Sequence, residues 1–126
     1  MQLVKPPPSA RPLILCLEDN ESYLYLRKAV LEQAGYNVIG VSDEDAALDT
    51  LREAPVCLVL SDHMLRGATG TEIAAKMKQI RPDVPIIIHS GTNPDSMKNV
   101  DVFINKDVPT ANFLAIIRDV FHRYCS

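Results

Sequence analysis

Five short apolar runs, alternating with helical or loop-like stretches, constrain this chain more than any other feature. The runs cover residues 13–17, 38–41, 56–60, 86–88 and 102–104. The first and third, LILCL and VCLVL, are continuously apolar rather than alternating, which is the pattern of strands covered on both faces. Between the runs, the spacing of apolar residues predicts helices over 21–34, 43–52, 71–80 and 110–124. The first helix carries Tyr23, Leu24, Leu26, Val30 and Leu31 at mostly helical spacing, and Gly35 is a natural stop for it. Ser42 or Asp43 can cap the second helix, Pro55 ends it, and Pro82 closes the third. Strands alternating with helices imply parallel pairing through crossover helices. The expected fold is α/β, a doubly wound five-stranded parallel sheet with helices on both faces.

Length and composition narrow the function. A chain of 126 residues has room for one domain and its own hydrophobic core. Four of the nine prolines are Pro6, Pro7, Pro8 and Pro12, so residues 1–12 read as an extended tail and 13–126 as the domain. A net charge of -3 supplies no basic field for nucleic acid or anionic lipid. No apolar run approaches the ~20 residues that cross a bilayer, and Lys5 is followed by prolines rather than by a signal-peptide core. Of the three cysteines, Cys16 and Cys57 sit inside apolar runs, where a thiol behaves as a small hydrophobe. Three cysteines cannot close a disulfide set, and none has metal-ligand spacing. Free, inert thiols in a reducing cytoplasm are the expectation.

In doubly wound sheets, ligands gather at the carboxyl ends of the strands beside the topological switch point. The residues that follow the apolar runs are therefore informative. They are Glu18 and Asp19 after the first, Ser61 and Asp62 after the third, His89 and Ser90 after the fourth, and Asn105 and Lys106 after the fifth. Three carboxylates on one rim repel, and a hard divalent cation with oxygen ligands resolves the conflict. Mg²⁺ suits this role because it accepts a few carboxylates and keeps water or phosphate in its octahedron. Lys106 and Ser90 then serve as donors to a phosphoryl group, with one carboxylate as the nucleophile.

These residues resemble the receiver domains of bacterial two-component response regulators. Glu18-Asp19-Asn20-Glu21 is similar to the acidic pair after the first strand, and Leu58 to Leu65 followed by Gly70 is similar to the phosphoacceptor strand and loop. Ile86-Ile87-Ile88-His89-Ser90-Gly91 resembles the strand with the switch hydroxyl, and Phe103-Ile104-Asn105-Lys106 resembles the aromatic and lysine that follow. The resemblance runs from about Leu13 to the C-terminus. It implies a flavodoxin-like strand order 2-1-3-4-5 and Asp62 as the phosphoacceptor. It implies Mg²⁺ held by Asp19, Asp62 and the backbone carbonyl of Met64, with Glu18 acting through water. Lys106 would pair with Asp62 and then with the phosphate, while Ser90 and Phe103 would act as the switch. The implied partner is a sensor histidine kinase or a His phosphotransfer protein. A module that accepts phosphate on its own aspartate is not a turnover enzyme, and a sequence ending soon after the last helix reads as stand-alone.

The sequence also departs from that pattern. Arg66 and Asp107 stand where the family usually has proline, so no X-Pro bond follows Lys106. The span 91–105 holds Pro94 and must also contain a strand, which leaves a single turn or an irregular loop in place of the usual fourth helix. The usual helix-4 dimer face is therefore not expected. Met64 cannot position an attacking water by hydrogen bonding, which predicts slow loss of the phosphoryl group. His63 and His89 adjoin site residues and are read as packing or surface residues rather than zinc ligands. Phosphohydrolase chemistry would want a second aspartate where Met64 stands, and a nucleotide site would want a Gly-rich first turn. The alternative function is a degenerate receiver-like interaction module that is never phosphorylated.

Overall fold

The computed structural model describes residues 12–125. The Pro-rich tail lies outside the described residues except for Pro12. Five strands form the main sheet: β1 (Leu13–Leu17), β2 (Asn37–Val41), β3 (Val56–Ser61), β6 (Ile86–Ser90) and β7 (Val102–Asn105). Every neighbouring pair is parallel and the order is β2-β1-β3-β6-β7, the doubly wound arrangement the sequence predicts. A small antiparallel hairpin, β4 (Met64–Leu65) with β5 (Ala68–Thr69), turns through Gly67 at φ +78°. Sequence reading takes this segment as a plain loop, because two-residue strands carry no period to detect.

Continuous apolar strands arise because both sheet faces are covered. Leu15, Leu17, Val59, Ile86 and Ile88 pack on one side against α2 (Glu44–Glu53) and α3 (Gly70–Ile80). Ile14, Cys16, Leu58, Leu60, Ile87 and Ile104 pack on the other, against α1 (Glu21–Gln33) and α4 (Thr110–Cys125). Asn20, Asp43 and Thr69 cap three of the helices by accepting the N–H of Tyr23, Ala46 and Glu72 at 3.0, 2.8 and 3.3 Å. Gly35, at φ +99°, stops α1 as expected.

The structure selects the buried face of one helix and corrects one expectation. Helix α1 does not bury the stripe of Tyr23 and Leu26, which are 57% and 58% exposed; its buried residues are Arg27 and Leu31. The apolar residues of α1 straddle two faces, and the face carrying Arg27 and Leu31 is the one that meets the sheet. The cysteines differ from expectation, since Cys57 and Cys125 form a disulfide across 68 residues of chain. The start of β3 meets the end of α4 at a Cα separation of 5.5 Å, a proximity that no local pattern reveals. Cys16 is free and fully buried as expected, with its thiol pushed up to about 11 mainly by burial.

Between β6 and β7 the backbone of 91–101 forms bends and a turn with no helix, and Asn99 adopts φ +66°. Asp101 anchors this connection by accepting the N–H of Ile86 at 2.8 Å and the ammonium of Lys78 at 2.9 Å. No cis peptide occurs among the described residues, in keeping with Asp107 in place of proline.

Candidate functional site

The sheet order puts the ends of β1 and β3 side by side, and the order in which strands are added across the sheet reverses there. Asp62 leaves β3 with its N–H bonded to the carbonyl of Leu17 at 3.1 Å, which fixes it beside the end of β1. Its Oδ1 accepts the N–H of His63 at 2.6 Å, and its Oδ2 accepts the Lys106 ammonium at 2.8 Å. Lys106 is itself fixed by its N–H on the carbonyl of Ser90 at 3.0 Å. Its Nζ lies 5.4 Å from the centre of the Tyr23 ring, within cation–π range.

Glu18 is 1% exposed, and its Oε1 lies 3.6 Å from Lys106 and 3.8 Å from Arg27. Both Glu18 Oε1 and Arg27 Nη1 are buried without a hydrogen-bond partner. Asp19 instead faces Arg66, whose N–H donates to Oδ2 at 3.1 Å and whose Nε stands 3.8 Å away. The Arg66 side chain is 89% exposed, so this ion pair is screened and contributes little. Each acid of the rim thus has its own basic neighbour. Among the described residues, no three His, Cys, Asp or Glu side chains converge closely enough to hold a metal by themselves. The repulsion expected of three clustered carboxylates is offset only in part within the chain, since the Asp62 charge still pushes the Glu18 carboxyl up.

Burial raises the Glu18 carboxyl above its ordinary range, and the neighbouring Asp62 charge adds to that, against the pull of Arg27 and Lys106. Burial also opposes the Asp62 charge. There, however, the hydrogen bond and charge of Lys106 lead a set of contacts that outweighs it, and the carboxyl is held below its ordinary range. Asp62 therefore stands ionised at neutral pH.

A cavity of about 610 Å³ opens over this rim and is lined by Asp62, Met64, Ser90, Lys106, Arg27 and His89, among others. Ser90 is 2% exposed and its Oγ accepts the N–H of Thr92 at 3.2 Å. Met64 opens the hairpin with an exposed side chain. Phe103 is partly buried against the core on the α2 and α3 side. Asp19 lies in a separate hollow with Leu65 and Arg66. His63 is buried, and His89 packs on the Phe113 ring at 4.7 Å between centroids. Burial first, then Arg27 and Lys106, lowers the His89 imidazole to about 4 and keeps it neutral.

Sequence reasoning missed Arg27 and Tyr23 at this site. Arg27 lies four residues before Leu31 and so shares its face of α1, but apolar residues mark the adjacent face as well, and spacing alone does not choose between the two. A buried charge there runs against the usual patterning of such a helix.

The donors that the sequence reading offers a cation here are all oxygens: the carboxylates of Asp19 and Asp62 and the main-chain carbonyl of Met64. Such a set matches a small hard cation. The orphaned, buried Oε1 of Glu18 is a further acceptor with spare capacity.

Comparison with known proteins places the fold in a family. The "Response regulator receiver domain" family model matches residues 14–118. The response regulator receiver protein CpdR of Brucella abortus is 35% identical over 89 residues, which is 67% of this chain and 73% of that protein. Two further relatives are covered over only 49% and 51% of their length, so the chain spans about half of those proteins. A CheY-like receiver domain from Methanospirillum hungatei superposes with a TM-score of 0.80 at 26% identity, covering 90% of this chain and 95% of that one. TrrA of Thermotoga maritima, solved in complex with Mg(2+)-BeF, shares the fold with a TM-score of 0.80 at 20% identity, covering 86% and 98% of the two chains. With the strand order and the matched span in agreement, this chain belongs to the response regulator receiver domain family.

Proposed function

We propose that this chain is a phosphoacceptor module of a two-component phosphorelay. It takes a phosphoryl group on Asp62 from a phosphohistidine of a sensor histidine kinase or a His phosphotransfer protein. The contact of Lys106 Nζ with Asp62 Oδ2, at 2.8 Å on the switch-point rim, carries this reading. An Asp62 oxygen attacks phosphorus in line as the P–N bond of the donor breaks. The leaving imidazole nitrogen keeps the electron pair of that bond and takes up a proton. Lys106 follows the developing charge and pairs with the transferred oxygens. The Ser90 hydroxyl, whose oxygen accepts the Thr92 N–H here, turns to donate its O–H to a phosphoryl oxygen, and Phe103 turns inward behind it.

Mg²⁺, held by Asp19, Asp62 and the Met64 carbonyl with Glu18 at a distance, supplies charge neutralisation when bound. The module promotes its own phosphorylation and does not turn over a substrate. A cytoplasmic site of action, a protein rather than nucleic acid or membrane as partner, and no dimer through a fourth helix complete the reading.

The pairing of Asp19 with Arg66 favours one second reading, a receiver-like interaction module that is never phosphorylated. Incubation with acetyl phosphate and Mg²⁺ separates the two. Gain of one phosphate by mass in the wild type, but not in Asp62→Ala, supports the phosphoacceptor. No gain in either protein supports the interaction module.

A further inference from the structure

We propose that Arg27 is a positioning residue that serves as an internal counter-ion of Glu18 and competes with the divalent cation for this rim. The inference rests on reading the rim as a cation site. It concerns metal affinity, a property that can be measured without phosphorylation.

Arg27 is unusual in three respects. Its side chain is 7% exposed on the sheet-facing side of α1, a stripe otherwise anchored by the fully buried Leu31. Its only ion pair among the described residues is with Glu18, at 3.8 Å, beyond hydrogen-bonding distance. Its Nη1 is buried without a partner beside the cavity that also holds Asp62 and Lys106. A guanidinium used only for packing would be an expensive choice there, because an apolar side chain of similar volume avoids the desolvation cost of a buried charge. The charge itself is what distinguishes Arg27 from an apolar packing residue.

That charge acts on the cation site in two ways. It forms an ion pair with the Glu18 carboxylate, whose other charged neighbours are Lys106 at 3.6 Å and Asp62. It also adds a fixed positive charge to the cavity that Asp62 lines, a partly desolvated site in which a divalent ion on that carboxylate would be repelled. Arg27 thereby keeps the rim near neutrality without metal and weakens the rim's hold on Mg²⁺.

The test titrates Mg²⁺ alone into the unphosphorylated protein and follows backbone amide shifts of Asp62 and Met64 by NMR. Arg27→Met, which keeps bulk and removes charge, is expected to tighten Mg²⁺ binding about tenfold. Arg27→Lys, which keeps the charge, is expected to stay within about twofold of wild type. In a Glu18→Gln background, Arg27→Met should lose the part of its gain that comes from freeing Glu18 and keep the part that comes from removing direct repulsion. If Arg27→Met fails to fold by circular dichroism, Arg27→Gln is read in its place. Unchanged or weaker binding in the neutral variant, equal tightening in Arg27→Lys, or no Mg²⁺-dependent shift in any variant overturns the inference. Tightened binding in a protein whose Asp62 still takes no phosphate upholds the inference and defeats the phosphoacceptor reading, so the two failures are distinct.

Discussion

The first residue of α3, Gly70, lies directly against the main chain of Asp62. A Cβ placed on Gly70 would stand 2.5 Å from the Asp62 carbonyl oxygen and 2.8 Å from the Ile88 side chain. The Gly70 N–H already donates to the His63 carbonyl at 2.6 Å, so neither backbone can retreat without breaking a bond. Gly70→Ala is expected to cost about 2 kcal/mol of stability through this overpacking. It should also displace Asp62. Urea unfolding and the rate of acetyl phosphate labelling report the two effects separately.

Lys106→Met removes the ammonium bonded to Asp62 Oδ2 and is expected to slow phosphorylation by about a hundredfold, as loss of one charge-stabilising donor does elsewhere. Its pH signature has a defined sign. Asp62 is held below the ordinary carboxylate range, so its contribution to stability is fully present above that range and is lost as the pH falls through it. Lys106→Met should flatten that acid-side slope in chemical unfolding curves.

His89 contributes a second and independent pH dependence. The folded state holds it neutral with an imidazole at about 4, while the unfolded chain takes up its proton near the ordinary 6.5. Stability from this group is therefore complete above about 6.5 and declines as the pH falls toward about 4, by roughly 3 kcal/mol in all. Unfolding free energies of wild type and His89→Gln at pH 7 and pH 4.5 should differ in slope by a large part of that amount.

Reduction of the Cys57–Cys125 disulfide adds two hydrogens and releases a loop spanning 68 positions. Such a constraint contributes about 4 kcal/mol through the unfolded chain. Unfolding with and without a phosphine reductant should show a loss of that order, and Cys57→Ser should be insensitive to the reductant. Mass spectrometry after alkylation counts the thiols in each state.

Met64 stands exposed at the mouth of the cavity and offers no hydrogen bond to water. Met64→Asn is expected to speed loss of phosphate from Asp62 about tenfold, at or below the low end of what a positioned proton-transfer group contributes. The decay of the phosphorylated mass after removal of the phosphodonor measures it.

The five strands were legible because short apolar runs, three of them opened by a proline, alternate with helical patterns and have few other solutions. Leu13–Leu17 matched to the residue, and the remaining strands differed only at their ends. The missing helix between Ser90 and Lys106 was legible as well, since the available residues could not hold both it and a strand. Arg27 and the cysteine pair were hidden for different reasons. On α1, apolar side chains mark two adjacent faces, and only packing against the sheet selects the one that includes a charge. Cys57 and Cys125 meet because β3 starts where α4 ends, a consequence of topology that neither segment encodes alone. The pairing of Asp19 with Arg66 depended on a short hairpin, and two-residue strands fall below the reach of any periodicity.

The irregular connection from 91 to 101 leaves a mark on how this edge can be recognised. A helix presents side chains in a repeating pattern and hides its peptide groups, whereas this ribbon offers amides and carbonyls from bends, with Asn99 in the left-handed region. Any protein that senses the vicinity of Ser90 from this side must meet main-chain dipoles, a vocabulary unlike the grooves and ridges of helix docking.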